Sequence, residues 1–339
     1  MKKIDYSGDI CLIKSPSNLY YLSGYDNADA VIAIDNGEAY YFTDSRYFEE
    51  VESVCVGFKI KNIADFGNFI EEKNAKRASV ESNVSYSDYC FFKDKGINEF
   101  FFIDKELSKL RAVKSKKEID IMQKAQDITD AAFLKVLADI KEGMTERELA
   151  SKLEAHLFGC GGDALAFTSI VAFGVNTSKP HAHRGNTKLA KGMPITMDFG
   201  AKYNGYCSDM TRTVFFGEPC EELKEVYNNV LEAQLLSLSE VKPGMIGRDV
   251  DEIARGYFRR RGIDQYFIHS LGHSLGIDIH ESPIFSPKCS DVITKGMTLS
   301  VEPGLYYAGK YGVRIEDVIY FEEKGIRNLT KSPKNMIII

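Results

Sequence analysis

The sequence lacks features that would place it among secreted, disulfide-bonded or membrane proteins. Its seven cysteines are an odd number, and no two of them form a Cys-x-x-Cys pair, so neither a disulfide framework nor a thiolate zinc site is expected. No stretch approaches the roughly 18 apolar residues that cross a bilayer. Residues 1–20 carry charges where a secretion signal would be apolar. We therefore expect a cytoplasmic protein that does not bind membranes.

An excess of positive charge is also missing. Lys and Arg number 43 and Asp and Glu number 49, which gives a formal net charge of −6. Nucleic-acid binding needs clustered positive charge that displaces counterions from phosphates, so no nucleic-acid partner is expected. We interpret the basic runs 114–117 and 259–261 as solvated helix faces.

The character of the chain changes near residue 112. Before it, apolar β-forming runs at 30–34 and 39–43 flank Asp35-Asn36-Gly37, which predicts a β-hairpin. After it, Ser115-Lys-Lys-Glu118 has the form of a capping box and begins a helical pattern that Gly143 is expected to end. A length of 339 residues also favours about two domains. We therefore predict an N-terminal domain over 1–112 and a second domain over 113–339.

The second domain contains an internal repeat. Lys141-Glu-Gly-Met144 recurs as Lys242-Pro-Gly-Met245, at an offset of 101 residues. Downstream, Lys191-Gly-Met193 recurs as Lys295-Gly-Met297, at an offset of 104. Two copies of one unit, each a helix followed by strands, predict a pseudo-symmetric α+β domain.

Each copy of the repeat supplies two acidic residues on strand-like runs. At the offset of 104, Asp198 aligns with Glu302, and each is predicted to lie on the opposite side of a strand from apolar residues. Asp209 and Glu316 follow on later runs with the same alternation. Four converging carboxylates would repel one another, and divalent cations would remove that repulsion.

Histidines are concentrated in the same part of the chain. Five of the six lie between residues 181 and 280. His269, His273 and His280 share a glycine-punctuated segment that is a poor regular helix and suits the lining of a site. An imidazole beside several carboxylates fits Mn, Co, Fe or Zn in a two-metal arrangement.

These residues, in this order, resemble the pita-bread metallopeptidases of the prolidase and aminopeptidase P group. The resemblance implies a C-terminal pita-bread (creatinase/aminopeptidase-like) catalytic domain and a smaller α/β N-terminal domain of the creatinase type, which segments 17–24 and 43–47 resemble more loosely. The matching catalytic segments are 180–181, 197–200, 208–213, 269–281, 301–304 and 313–317.

The resemblance also implies a dinuclear metal site with two divalent ions, Mn first and Co, Zn or Fe as alternatives. In this family a metal-bridging water or hydroxide attacks the scissile carbonyl, and Glu302 matches the general base that takes its proton. The implied metal ligands are Asp198, Asp209, His273, Glu302 and Glu316.

Other candidate residues match substrate contacts in the family. His181 and His280 match histidines that contact the substrate and stabilise the tetrahedral intermediate. His269 and Arg314 match residues that line the pocket for proline. The implied substrates are peptides with proline at the second position, and the implied assembly is a homodimer.

One departure from the family pattern affects the predicted specificity. Members often have Pro-Arg after the His-Glu pair, and some prolidases use such an arginine to hold a dipeptide carboxylate, whereas this chain has Pro283-Ile284. Residues 281–296 contain no arginine, only Lys288 and Lys295. We therefore predict an Xaa-Pro aminopeptidase P-like enzyme, with an Xaa-Pro dipeptidase (prolidase) as the alternative. A non-catalytic pita-bread peptide-binding module, a metal-independent relative resembling creatinase and a methionine aminopeptidase remain further alternatives.

Overall fold

The computed structural model describes residues 3–26 and 29–339. The chain divides into two compact units, Met1–Arg111 and Ala112–Ile339. No helix within the described residues is long and apolar enough to span a membrane.

The first unit is built on one mixed six-stranded sheet. Its strands are β1 (Ile10–Ile13), β2 (Val31–Asp35), β3 (Glu38–Thr43), β4 (Lys59–Asn62), β5 (Arg77–Val80) and β6 (Glu99–Phe102). They lie in the order β4-β3-β2-β1-β5-β6. Its helices are α1 (Pro16–Ser23), α2 (Phe48–Val54), α3 (Phe66–Lys73), α4 (Tyr86–Asp94) and α5 (Asp104–Ala112).

The predicted hairpin of the first unit is confirmed. Strands β2 and β3 pair antiparallel, with Asp35 opposite Glu38. The two residues between them, Asn36 and Gly37, have φ values of 49° and 82°. Positive φ at both positions gives the turn the twist that a two-residue hairpin loop requires, and Asn and Gly tolerate it best.

The second unit combines four helices with small antiparallel sheets. Its helices are α6 (Lys116–Val136), α7 (Glu146–Gly159), α8 (Glu221–Glu240) and α9 (Gly247–Arg260). Its strands are β7 (Ala164–Leu165), β8 (Ile170–Phe173), β9 (Met193–Phe199), β10 (Ala201–Tyr203), β11 (Tyr206–Cys207), β12 (Met210–Phe216), β13 (Gly272–Ser274), β14 (Glu281–Phe285), β15 (Thr298–Val301), β16 (Gly304–Tyr307), β17 (Tyr311–Arg314), β18 (Asp317–Phe321) and β19 (Ile326–Asn328).

The repeat is visible in the backbone hydrogen bonds of the second unit. Gly143 N–H donates to the carbonyl of Leu189, and Gly244 N–H, 101 residues later, donates to the carbonyl of Ile293. Each half has its own apolar core: α6 and α7 pack on the sheet β12-β9-β8, and α8 and α9 pack on the sheet β15-β18-β19. We call these the first half and the second half.

The start of α6 follows the prediction, and its end does not. Ser115 and Glu118 form the reciprocal capping box, in which each side chain accepts the other residue's backbone N–H. The α-helix ends at Val136 and continues as a single 3₁₀ turn over Leu137–Asp139. Gly143 therefore does not end the helix. Its φ of 80° instead shapes the following turn that leads into α7.

Candidate metal centre

One cavity of about 280 Å³ in the second unit is lined by every candidate site residue proposed from the sequence. These residues come from strand ends and connections in both halves rather than from one element. The lining includes Asp198, Asp209, His273, Glu302, Glu316, His181, His269, His280 and Arg314.

The first half places two carboxylates at the cavity. Asp198 lies in β9 opposite Thr211 of β12. Its neighbours Met197 and Phe199 are fully buried in the core of that half, so strand alternation directs Asp198 to the other face, as predicted. Asp209 immediately precedes β12, in the connection that follows β11.

The second half places its two carboxylates just outside its strands. Glu302 follows the last residue of β15. Glu316 lies in the two-residue connection between β17 and β18, where the chain passes from one sheet to another. The sequence predicted that Glu316 lies on a continuous strand-like run. The structure interrupts it, and Glu316 N–H donates instead to the carbonyl of Thr211 in the first half.

The strand that carries His273 approaches β15 very closely. A Cβ atom at Gly272 would lie 1.8 Å from the carbonyl oxygen of Ser300, so only glycine permits this approach. The backbone N–H of His273 donates to Ser300 Oγ at 3.0 Å, and Ser300 Oγ donates to Glu302 Oε1 at 3.0 Å. Ser300 therefore holds the two candidate ligands in a fixed relation.

Three of the five proposed metal ligands form a tight buried group. Potential ligand atoms of Asp209, His273 and Glu316 all lie within 4.8 Å of one another. His273 Nε2 is 3.7 Å from Asp209 Oδ2 and 3.4 Å from Glu302 Oε1. Asp198 lines the same cavity outside this group, and its Oδ2 accepts a hydrogen bond from Arg314 at 2.6 Å.

Burial and neighbouring carboxylates raise the pKa of three acidic residues at the cavity. Burial, together with Glu316 and Asp198, raises the pKa of Asp209 well above its usual range. Burial, together with Glu302 and Asp198, does the same to the pKa of Glu316. Burial raises the pKa of Glu302 to about 7, although Arg314 opposes the shift. The ionised carboxylates therefore need a positive charge among them.

Two carboxylate oxygens of this group are left unsatisfied. Asp209 Oδ1 and Glu316 Oε1 are buried and have no hydrogen-bond partner in the part of the chain that the structure describes. Buried polar atoms in folded proteins nearly always have partners. Carboxylate oxygens beside an imidazole form a donor set that divalent transition metals accept, so the residues present fit such ions.

Burial lowers the pKa of three of the histidines that line the cavity, His269, His273 and His280. Burial lowers the pKa of His273, and the Nδ1 of this ring lies 3.1 Å from the carbonyl of Ser274. A proton on Nδ1 would bond that carbonyl and leave the Nε2 lone pair for a metal. Burial and the nearby Arg314 lower the pKa of His269 to about 3. Burial and His273 also lower the pKa of His280, whose ring centroid lies 4.3 Å from that of His273.

Arg314 contacts candidate site residues more extensively than the sequence predicted. Besides Asp198, its guanidinium donates to Tyr306 Oη at 2.6 Å, Thr211 Oγ1 at 3.0 Å and the carbonyl of Pro180 at 3.3 Å. The sequence analysis missed Tyr306, whose Oη also lies 3.0 Å from His269 Nε2. Its position in the strand directly after the Val301–Gly304 segment was the available signal.

Lys114 corrects the interpretation of the run 114–117 as a solvated face. Its side chain is only 1% exposed, and Nζ lies 3.1 Å from Glu281 Oε2 and 3.2 Å from Ser274 Oγ. Glu281 Oε1 also accepts the N–H groups of Ile277 and Asp278. The segment that carries His273 and His280 is therefore held by a buried ion pair. Lys116, by contrast, is exposed as predicted.

Apolar side chains form part of the cavity wall. Ile284, at the position where the family often has arginine, lines the cavity and is 52% exposed. Phe167, Ile170 and Ile279 also line it. Lys288, which the sequence offered as a substitute cation, is not among the lining residues.

Comparison with known proteins identifies the family. Residues 120–323 match the model of metallopeptidase family M24. Residues 5–113 match the model of the creatinase/prolidase N-terminal domain. The two matches together cover most of the chain.

Similar proteins match over nearly their whole length. The chain is 37% identical over 333 residues to an Xaa-Pro dipeptidase of Pyrococcus furiosus, which covers 97% of this chain and 95% of that protein. A solved Xaa-Pro dipeptidase from Bacillus anthracis has a TM-score of 0.94 at 37% identity, over 98% of this chain and 95% of that one. A solved X-Pro aminopeptidase from Thermotoga maritima has a TM-score of 0.91 at 33% identity, over 98% of each chain.

The matches and the fold together confirm the predicted architecture, a pita-bread catalytic domain preceded by a smaller creatinase-type α/β domain. Membership of a metallopeptidase family implies divalent metal cofactors, in agreement with the unsatisfied carboxylate oxygens of the cavity. The chain belongs to metallopeptidase family M24 and is a hydrolytic enzyme.

Proposed function

We propose that this protein is a metal-dependent Xaa-Pro dipeptidase, a prolidase. The supporting observation is the buried group of Asp209, His273 and Glu316 on the wall of one cavity, in a chain 37% identical to an Xaa-Pro dipeptidase over 97% of its length. The comparisons favour the dipeptidase alternative over the aminopeptidase P-like activity that the sequence analysis placed first. The two activities share a preference for proline after the cleaved bond.

Two divalent ions would be held by the proposed ligands, with Mn as the first choice and Co, Zn or Fe as alternatives. When bound, such ions polarise the scissile carbonyl and lower the pKa of a water molecule. The proposed ligands are Asp198, Asp209, His273, Glu302 and Glu316.

Glu302 is the proposed general base. Ser300 Oγ donates to its Oε1 and thereby orients the carboxylate. The other oxygen can take a proton from the attacking water and transfer it to the nitrogen of the leaving proline. Transfer through one oriented carboxylate keeps both proton steps at the same place in the cavity.

His181 and His280 are the proposed donors to the oxygen that becomes negative as the carbonyl is attacked. Both rings line the cavity, and they approach it from different segments. His269 and Arg314 are the proposed contacts for the proline residue. An Xaa-Pro bond has no N–H for a general peptidase to bind, so recognition has to come from a pocket that fits the ring.

The test compares an Xaa-Pro dipeptide with an Xaa-Pro-Yaa tripeptide and an Xaa-Ala dipeptide. Protein stripped with a chelator is reconstituted with Mn, Co or Zn in turn. We expect no hydrolysis without metal, and with the preferred metal a kcat/KM for the Xaa-Pro dipeptide at least about 10-fold above that for either other peptide.

Each other result points to a different function. A preference for the tripeptide would establish the aminopeptidase P-like alternative. Undiminished hydrolysis by stripped protein would exclude a metallopeptidase mechanism. Failure to bind any of the metals would indicate a non-catalytic module.

We also propose that the protein is a homodimer. Light scattering on the same preparations tests this proposal.

A further inference from the structure

Glu146 is a buried carboxylate that the proposed reaction does not use. It is the first residue of α7 and has no solvent exposure. Within the described chain it pairs with no Lys, Arg or His, and it is surrounded by N–H donors instead. Its Oε1 accepts the backbone N–H of Phe173 and the side-chain amide of Asn176, both at 2.9 Å, and its Oε2 accepts the backbone N–H of Gly185 at 2.8 Å.

These three donors lie at the two ends of one segment. Phe173 is the last residue of β8, and Gly185 lies twelve residues later, on the way to β9. We call residues 174–184 the His181 segment, because they contain His181, whose side chain is exposed at the cavity. One carboxylate therefore closes the base of the loop that presents this histidine.

The repeat shows that the fold does not require this carboxylate. Glu146 N–H donates to the carbonyl of Thr187, and the equivalent residue of the second half, Gly247, donates to the carbonyl of Asp291. The backbone arrangement is thus the same in both halves. At Gly247, however, a Cβ atom would lie 2.4 Å from Cys289 Sγ, so the thiol occupies the space that the glutamate side chain fills in the first half.

Burying a carboxylate without a cation is costly, and the hydrogen bonds it accepts have to offset that cost. Since the second half manages with glycine, the cost in the first half needs a reason specific to that half. The His181 segment provides that reason, because Glu146 binds the chain at both of its ends. Its other anchors include the bond from Gly312 N–H to Thr177 Oγ1 at 2.9 Å, the bond from Arg314 to the carbonyl of Pro180 at 3.3 Å and the ion pair of Arg184 with Glu154.

We propose that Glu146 is a positioning residue that fixes the His181 segment, so that His181 is held in place to contact the substrate. This inference rests on the role of His181 under the proposed function. A histidine on a loosely closed loop would sample many orientations, and a donor to a developing charge contributes most when its position is set beforehand.

Glu146→Gln is the informative substitution because it preserves shape and removes one acceptor. A carboxamide has a single oxygen, so its NH₂ group would face the N–H of either Phe173 or Gly185. Asn176→Ala is a milder companion that removes one donor from a partly exposed position. Glu148→Gln is the matched control, since Glu148 lies in the same turn and, among the described residues, its side chain accepts hydrogen bonds only from its capping partner Thr145.

The experiment is a double-mutant cycle on Mn-reconstituted protein with an Xaa-Pro dipeptide. We expect Glu146→Gln to lower kcat by about 10-fold with unchanged metal content, as loss of an orienting hydrogen-bond partner does elsewhere. In a His181→Ala background the same substitution should change kcat less than about 2-fold, because the histidine that Glu146 positions is absent. Asn176→Ala should show a smaller effect of the same pattern, and Glu148→Gln should match the wild type.

Hydrogen exchange provides a readout that does not depend on activity. The amides of Phe173 and Gly185 should exchange faster in metal-free Glu146→Gln than in the wild type or in Glu148→Gln, while the core strand β9 should not change. Equal losses of kcat in the wild-type and His181→Ala backgrounds would overturn the inference, as would unchanged exchange at both amides. Full activity of His181→Ala would overturn the role of His181 and this inference with it. Failure of the wild type to hydrolyse the dipeptide would instead refute the proposed function.

Discussion

Asp209 and Glu316 come from opposite halves of the repeat, and each leaves one buried carboxylate oxygen with no hydrogen-bond partner among residues 3–26 and 29–339. Burial and the neighbouring carboxylates raise the pKa of both residues well above its usual range. The interface between the halves therefore carries an electrostatic cost in the metal-free protein. A divalent cation bound by both carboxylates would remove that cost and link the two halves.

Asp209→Asn tests this relationship directly. It removes a proposed ligand and one buried negative charge, so we expect hydrolysis of an Xaa-Pro dipeptide to fall at least about 100-fold. The metal-free variant should nevertheless melt at a higher temperature than the metal-free wild type, because less like charge is buried. Calorimetry with and without Mn measures both effects. Asp249→Asn, on an exposed turn of α9, is the control. Hydrolysis by Asp209→Asn above a few per cent of the wild-type rate would contradict the assignment of Asp209 as a ligand.

The raised carboxyl pKa values predict a pH-dependent effect of the metal on stability. A carboxyl whose pKa is higher in the folded state stabilises the fold at low pH and loses that contribution as the pH rises through the folded value. For Glu302 this window runs from the ordinary value of 4.5 to about 7, and Asp209 and Glu316 shift in the same direction. Bound metal requires the ionised forms and removes the penalty.

The measurement is the melting temperature of metal-free and Mn-loaded protein from pH 5 to pH 8. We expect the gain on adding Mn to be larger at pH 8 than at pH 5 by about 5 °C or more. Subtracting the two curves cancels the titration of groups away from the cavity. A gain that stays constant or shrinks with rising pH would show that these carboxylates do not bind the metal.

Lys114→Met tests the buried ion pair that holds the segment with His273 and His280. The side chains of Lys114 and Glu281 are 1% and 5% exposed, and removal of the ammonium beside a buried carboxylate is expected to cost about 3 kcal/mol of unfolding free energy. Lys114→Met/Glu281→Gln should recover part of that loss, because no buried charge remains at the pair. Lys116→Met, at an exposed position, is the control. A loss in Lys114→Met no larger than in this control would mean that the pair does not stabilise the segment.

Local patterns were sufficient to predict much of the fold. The alternation of Met197, Asp198 and Phe199 indicated which side of β9 faces the cavity, and the structure agrees. Ser115 and Glu118 predicted the start of α6 because a capping box depends on residues three positions apart. The repeat was visible because each copy keeps the glycine turns that its backbone bonds require.

Long-range pairing could not be predicted from the same patterns. Arg314 and Asp198 are 116 residues apart, and Lys114 and Glu281 are 167 apart. Nothing in the local sequence of Lys114 distinguishes it from its solvated neighbour Lys116. The break at Glu316 was missed for a related reason, since an alternating run does not show that its chain passes from one sheet to another.

Ile284→Arg tests how the cavity treats the end of the substrate. Ile284 lines an apolar wall where the family often has arginine, and its side chain is 52% exposed. The carboxylate of an Xaa-Pro dipeptide lies one residue beyond the cleaved bond, so a guanidinium on this wall would pair with it. We expect Ile284→Arg to lower KM for the dipeptide about 5-fold in low salt and less in high salt.

Two controls separate the charge from other effects of the substitution. The KM of an Xaa-Pro-Yaa amide, which carries no carboxylate, should not fall in Ile284→Arg, and the KM of the dipeptide should not fall in the neutral variant Ile284→Met. An equal gain for the amide would show that the arginine acts on the cavity rather than on the carboxylate. An unchanged KM for the dipeptide would mean that its carboxylate is bound elsewhere in the cavity. A new cation placed beside the carboxylate in a partly desolvated site would otherwise strengthen binding.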